Sequence, residues 1–108
     1  MAISLDTSVA LVSGANDPVT TASFTAPAGC LLVALCMGNS AASGATTLTV
    51  TNNGAALTWT EQIHRDAVDG EAGCAAIRTA PVASERTGLT VSLANSNASD
   101  DDVGLKVL

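Results

Sequence analysis

His64 is the only histidine in the chain and has the clearest capacity for acid–base chemistry. Asp66 follows two residues later, on the same face of a predicted strand, so a contact between the two side chains is geometrically possible. A general base also needs a nucleophile, and no Gly-x-Ser-x-Gly elbow or similar motif supplies one. The sequence therefore predicts a solvated or contact-forming histidine, no catalytic residues, and a protein that is not an enzyme.

The cysteines Cys30, Cys36 and Cys74 cannot all pair with one another, because their number is odd. Cys30 and Cys36 are six residues apart on one predicted strand, which separates them by about 20 Å, too far for one metal ion to bridge. We expect three reduced and mostly buried thiols, and no metal or cofactor. A disulfide from Cys30 or Cys36 to Cys74 stays an alternative.

The densest acidic cluster is the loop from Asn95 to Asp102, which ends in three consecutive aspartates. Calcium takes several oxygen ligands from loops of this kind, but Lys106 stands where an EF-hand would need its last glutamate. We expect a solvated loop that keeps a sheet end from pairing wrongly, with calcium binding left open. The same loop contains a glycosylation sequon, Asn97-Ala98-Ser99.

The fold that positions these residues is built from a chain of 108 residues. This length predicts a single domain over residues 1–108. Phe24 and Trp59 are the only aromatic residues, and ten acids oppose four bases for a net charge of −6. This composition argues against a base-stacking platform, a phosphate-binding patch or an anionic membrane surface. No run of eighteen apolar residues is present, and Met1 to Asp6 does not resemble a secretory signal.

Alternation of apolar and polar residues predicts strands, separated by Gly, Pro, Asn and Asp. We place eight strands at about 3–12, 19–25, 30–37, 46–51, 57–66, 72–79, 89–93 and 103–108. Eight short strands at this spacing predict an all-β fold, an antiparallel β-sandwich or jelly roll. A small closed barrel is the alternative architecture.

Two predicted strands are candidates for contacts with other chains. The strand from Cys30 to Met37 is apolar on both faces, so we expect the opposite sheet to cover one face and a neighbour or subunit the other. The strand from Val103 to Leu108 stops abruptly, and we expect a neighbouring chain to complete it. The candidate subunit- or shell-facing residues are Leu31, Val33, Leu35, Met37, Val103, Leu105 and Val107.

The predicted strand at about 57–66 contains Trp59, the only tryptophan. Leu57, Trp59 and Ile63 alternate on one predicted face, together with Glu61, which favours a core tryptophan over a sugar-stacking one. The candidate core residues are Phe24, Trp59, Leu89 and Val91.

Three stretches carry a resemblance to a known group of proteins. They run from Ser23 to Leu35, from Leu48 through the Asn52-Asn53-Gly54 turn to Thr60, and from Ile77 to Leu93. In these stretches the chain resembles the small β-sandwich modules of virion structural proteins in tailed bacteriophages and prophages.

The resemblance implies a non-catalytic structural role. A chain of this length is similar to capsid decoration (cement) proteins, which bind the outside of the shell and stabilise it. The implied partner is the major capsid protein, the implied state is a homo-oligomer with a trimer favoured, and the implied location is the virion, after synthesis in the host cytoplasm. The alternative is a carbohydrate- or receptor-binding module of a phage tail or fibre protein.

Overall fold

The structure is a computed structural model that describes residues 4–5, 9–15, 17–38, 47–67, 73–96 and 103–108. These residues form ten strands and no helix, so the predicted all-β class is confirmed. No helix capable of crossing a membrane occurs in this part of the chain. The strands are β1 (Val12–Gly14), β2 (Val19–Thr20), β3 (Phe24–Ala26), β4 (Leu31–Gly38), β5 (Leu48–Asn52), β6 (Thr60–Asp66), β7 (Cys74–Pro81), β8 (Arg86–Leu89), β9 (Val91–Asn95) and β10 (Val103–Val107).

The strands form three antiparallel sheets, an arrangement consistent with a β-sandwich. The largest sheet has the order β1-β10-β4-β7-β6, a second has the order β2-β9-β5, and β3 pairs with β8 in a third. All three sheets contribute to one core cluster, which includes Leu32, Cys36, Leu48, Val50, Ala76, Leu89, Val91, Leu93, Val103, Leu105 and Val107.

The predicted strand at 19–25 is divided between two sheets. Val19–Thr20 pairs with β9, whereas Phe24–Ala26 pairs with β8. Thr21, at the point of division, is buried and has two bonds to Val91: its amide donates to the Val91 carbonyl, and its Oγ1 accepts from the Val91 amide. Further corrections concern strand ends. In the described part of the predicted first strand only Val12 is in a strand, and β7 continues to Pro81, two residues beyond the predicted end of that strand.

Strand β10 is interior to its sheet, contrary to the expectation that a neighbouring chain completes it. It pairs with β1 on one side and with β4 on the other. Val103, Leu105 and Val107 are only 1%, 0% and 0% exposed, because strand alternation points all three into the core. The prediction that these three residues face a subunit or shell is therefore wrong.

Strand β6 differs from the prediction through a β-bulge between Glu61 and Ile63. The bulge adds one residue against β7 and reverses the alternation beyond it. Ile63, expected to share the face of Trp59 and Glu61, is therefore opposite Ile77 and 48% exposed.

The four candidate core residues separate into two pairs. Leu89 and Val91 are buried, whereas Phe24 and Trp59 are partly exposed and pack against the core cluster. Trp59 follows the Asn52-Asn53-Gly54 turn, in which Asn52 Oδ1 accepts hydrogen bonds from the Leu57 amide and the Trp59 indole. The indole N–H is thus held within the chain.

Candidate functional site

The outer face of the five-stranded sheet carries a regular array of apolar side chains. Residues directly opposite one another on neighbouring strands point to the same face of a sheet. One row across the sheet contains Lys106, Leu35, Ile77 and Ile63, each opposite the next. The adjoining row, two residues away along each strand, contains Gly104, Met37, Ala75 and Arg65.

Five large apolar side chains on this face are exposed to solvent. We call this set the apolar face: Leu31 (56%), Leu35 (37%), Met37 (52%), Ile63 (48%) and Ile77 (36%). Val33, at an intervening position on β4, is half-buried. Leu31 and Val33 line a cleft together with Ser4 and Leu5, so described N-terminal residues lie beside this end of the face. A contiguous patch of this kind on a folded protein commonly marks a binding surface.

Of the seven candidate subunit- or shell-facing residues, Leu31, Val33, Leu35 and Met37 are on the outer side of β4. The other β4 residues, Leu32, Ala34, Cys36 and Gly38, are buried on the inner side. The core of this chain therefore buries the inner side of β4. A second molecule that covered β4 would have to contact its outer side.

The sequence pattern did not identify Ile63 and Ile77 as members of this face. The signal for Ile77 was available, since it is the one large apolar residue in the small-residue stretch Cys74-Ala75-Ala76-Ile77. The signal for Ile63 was not, because its orientation depends on the bulge.

Gly104, on β10 beside the apolar face, lies opposite Met37. A Cβ atom placed on Gly104 would be 2.9 Å from Cε of Met37. The Met37 side chain therefore lies over β10 in space that only glycine leaves open. Methionine is flexible and polarizable, which suits it to contact with an irregular partner surface.

The polar cluster around His64 lies on the opposite, inner side of β6. His64 Nε2 is 3.0 Å from Asp66 Oδ1, so the contact that the sequence allowed is present. His64 Nδ1 is 3.4 Å from Glu61 Oε2, and Arg78 Nη2 donates to the same oxygen at 2.6 Å. The hydrogen bond with Asp66 is the largest effect and raises the pKa of His64; burial opposes it, and the hydrogen bond with Glu61 adds a smaller increase.

This arrangement favours the imidazolium form of His64. Both ring nitrogens face carboxylates, which suits two N–H donors, whereas a general base needs one ring nitrogen free to accept a proton. The cluster also connects the edge strand β6 to β7 through Glu61 and Arg78. The geometry of the cluster is that of an ion-pair network that stabilises the pairing of the edge strand β6 with β7.

The three cysteines form no disulfide, and all three lie within the described residues. Cys36 and Cys74 are buried, and Cys30 is partly exposed. Burial raises the pKa of the Cys36 thiol to about 11, which makes it a poor nucleophile and a poor metal ligand. Within the described residues no group of three or more His, Cys, Asp or Glu side chains is placed to hold a metal ion.

A second apolar feature is a cleft of about 410 Å³. Its walls include Phe24, Pro27, Cys30, Leu31 and Val107, and it is mainly apolar. Leu31 belongs both to the cleft and to the apolar face, so the two surfaces are continuous at that residue.

The acidic loop is largely outside the described residues. Residues 97–102, including the sequon and the three aspartates, are not described. Asn95 is buried at the end of β9, and its amide donates to Asp17 Oδ1 at 3.0 Å. Calcium binding by this loop stays an open prediction.

Comparison of the chain with models of protein families, with curated proteins and with solved structures gave no match. The site is therefore interpreted from its own geometry.

Proposed function

We propose that this protein is a non-catalytic structural protein that docks onto a larger protein assembly through its apolar face. The observation that carries the proposal is the row of exposed apolar side chains across three paired strands, with Leu35 and Ile77 at its centre. Removal of such a surface from water on binding lowers the free energy by roughly 25 cal/mol per Å² of apolar area buried.

The assembly that we propose is a phage capsid, with this protein as a decoration protein on its outer surface. Support comes from the sequence resemblance to phage virion β-sandwich modules and from the all-β fold. In this proposal the partner is the major capsid protein, the protein is made in the host cytoplasm, and it resides in the virion. Trimerisation stays a prediction of the resemblance.

The polar cluster supports a non-catalytic role through its own chemistry. His64 is held between two carboxylates, and Cys36 has a raised pKa. The contacts of His64 favour its imidazolium form, and burial of Cys36 favours its thiol form; these are the less reactive forms of the two side chains.

A charge placed within the apolar face tests the proposal. Leu35→Glu puts a carboxylate at its centre, and Thr49→Glu makes a charge change of the same size at an exposed position on β5, in a different sheet. Particles purified from the producing host are analysed by quantitative mass spectrometry against the main shell protein. We expect near-stoichiometric wild-type and Thr49→Glu protein.

We expect Leu35→Glu to be incorporated at least tenfold less, because an unpaired carboxylate buried in an interface costs more than about 1.4 kcal/mol. Absence of the wild-type protein from particles would contradict the proposal. A few copies per particle would move the protein to the tail or fibre and favour the receptor-binding alternative. Equal incorporation of both variants would show that another surface makes the contact.

A further inference from the structure

The β-bulge in β6 brings together two side chains that a regular strand would place on opposite faces. Side chains three residues apart in a regular strand point to opposite sides. Here Glu61 is opposite Arg78 and His64 is opposite Ala76, so the extra residue of the bulge turns both to the inner side. His64 Nδ1 is thereby 3.4 Å from Glu61 Oε2. We call this pair the bulge contact, because it depends on the bulge.

Two hydrogen bonds hold the bulge against β7. On the inner side, Arg78 Nη2 donates to Glu61 Oε2 at 2.6 Å. On the outer side, Gln62 Nε2 donates to Thr79 Oγ1 at 2.8 Å. The bulge contact adds His64 to this arrangement and makes it responsive to pH, because the ordinary pKa of histidine is about 6.5.

Deprotonation of His64 removes the bulge contact and keeps the contact with Asp66. A neutral imidazole has one N–H, and its other nitrogen carries a lone pair. The distance from Nε2 to Asp66 Oδ1 is 3.0 Å, against 3.4 Å from Nδ1 to Glu61 Oε2, so the remaining proton makes the better hydrogen bond on Nε2. Nδ1 then presents its lone pair to a carboxylate oxygen, and the bulge contact becomes unfavourable.

The neighbouring strands place further ionisable side chains on the inner side near His64. Arg78 and Cys74 are on β7, on either side of Ala76, which is opposite His64. Cys36 of β4 is opposite Ala76 in the same row. Strand β5, which packs against β4 and β7, contains no ionisable side chain.

The carboxylates set the direction of the pH response. The hydrogen bond with Asp66 raises the pKa of His64 most, burial lowers it, and the hydrogen bond with Glu61 raises it further. The bulge contact is therefore fully present below the unfolded pKa of about 6.5 and is lost as pH rises through the folded pKa. Asp69 and Glu71 are outside the described residues, and a carboxylate near His64 would act in the same direction as Asp66.

The bulge also determines where Ile63 lies. Regular alternation would place Ile63 on the side of Trp59 and Glu61, whereas the bulge turns it to the outer side, opposite Ile77. There Ile63 is 48% exposed and forms the β6 margin of the apolar face. A strand without the bulge would withdraw this side chain from the face.

We propose that the bulge contact is a pH-responsive device that keeps Ile63 on the apolar face, so that docking through this face is weaker in alkaline than in mildly acidic solution. The inference rests on the proposed docking role and specifies how that surface is regulated. A partly exposed ion pair changes an equilibrium constant by a factor of up to about five. Docking that requires Ile63 in place can change by no more than this factor.

Amide hydrogen exchange followed by NMR tests the device in the isolated protein. Exchange is measured at pH 5.5 and pH 8.5 and corrected for the pH dependence of exchange in an unfolded chain. Protection of the β6 amides that bond to β7 should fall about twofold to fivefold at the higher pH. Protection in β5, the edge strand of the second sheet, should stay unchanged, because local opening there leaves the bulge contact intact.

Two variants with the same change of charge identify the responsible contact. Glu61→Gln keeps an oxygen acceptor for Arg78 and removes the carboxylate beside His64, so it should abolish the pH difference in β6. Glu85→Gln, at an exposed position in the turn before β8, should preserve that difference. Unchanged protection of wild-type β6, an equal fall in β5, or a fall that persists in Glu61→Gln would each overturn the inference.

Binding to particles produced without the protein tests the consequence for docking. The affinity of the wild type should fall by up to about fivefold from pH 5.5 to pH 8.5, and that of Glu61→Gln should fall less. Equal pH profiles for the two proteins would overturn the regulatory role of the bulge contact. Absence of binding at both pH values would contradict the docking proposal instead, and the exchange experiment distinguishes these two failures because it needs no partner.

Discussion

Replacing Leu105 by alanine tests whether β10 lies inside the core. Leu105 is fully buried, opposite Cys36 of β4. Truncation removes three carbon atoms, each worth about 0.8 kcal/mol of burial, or about 2.4 kcal/mol in all. The cavity left behind raises the cost of such changes to about 2.7–5 kcal/mol. We expect a loss of about 3–4 kcal/mol in the free energy of unfolding.

Leu35→Ala is the matched control. Leu35 precedes Cys36 on β4 and is opposite Lys106, so it points to the outer face of the same sheet. Its side chain is 37% exposed, and truncation on the surface encloses no cavity. The lost burial is then about 1.5 kcal/mol. The same chemical change on neighbouring strands should therefore differ at least twofold in cost.

Urea denaturation followed by fluorescence of Trp59, the only tryptophan, measures both variants. A domain of this size has a stability of about 5–15 kcal/mol, so the Leu105→Ala loss is readily resolved. Its melting temperature should fall by roughly 12–24 °C. If the two variants lose similar amounts of unfolding free energy, with unchanged m values in urea, then the contrast between a buried β10 and an exposed outer side of β4 is refuted.

Three other predictions concern crowding, pH and reactivity. Gly38→Ala should destabilise the protein by about 1–3 kcal/mol in urea denaturation, because a Cβ atom there would be within 3.2 Å of three buried side chains. The raised pKa of His64 means that its contacts stabilise the fold below the unfolded pKa of about 6.5 and lose this effect as pH rises through the folded pKa. The stability difference between wild type and His64→Gln should therefore shrink from pH 5.5 to pH 9, and an NMR-measured pKa of His64 at or below 6.5 would contradict this. At pH 8, Cys36 should react with iodoacetamide about 100-fold more slowly than an exposed thiol, as quantified by peptide mass spectrometry, because its pKa is about 11 and not 9.0; labelling of Cys36 as fast as Cys30 would show that the thiol is not buried.

The sequence pattern predicted the fold class and most strands because alternation records which side of a strand is buried. Strand β4 is an example, with Leu31–Gly38 observed against a prediction of 30–37. The pattern left open what covers the second face of such a strand. The sequence pattern of an apolar strand is the same whether its outer side contacts another sheet, another protein or water.

The errors came from features that depend on distant parts of the chain. The orientation of Ile63 follows from a one-residue bulge against β7, for which the local sequence has no marker. The interior position of Val103–Val107 follows from pairing with β1, about ninety residues earlier, and such long-range pairing is invisible to local periodicity.

The His64–Asp66 contact was predictable, because it depends only on spacing within one strand. The connection of Glu61 to Arg78 was not, since it joins two strands whose register had first to be known. The positions of Arg65 and Lys106 on the apolar face likewise required the register of three strand pairs.

The pairing of β1 with β10 also constrains the order of events during synthesis. Val12–Gly14 pairs with residues 103–105 of β10, so β1 emerges from the ribosome long before the strand against which it must align. Until then, β4 has an unpaired edge and the core lacks three of its buried side chains. A nascent chain in this condition exposes a template for pairing with other chains, so the large sheet is expected to complete its folding only after β10 has been synthesised.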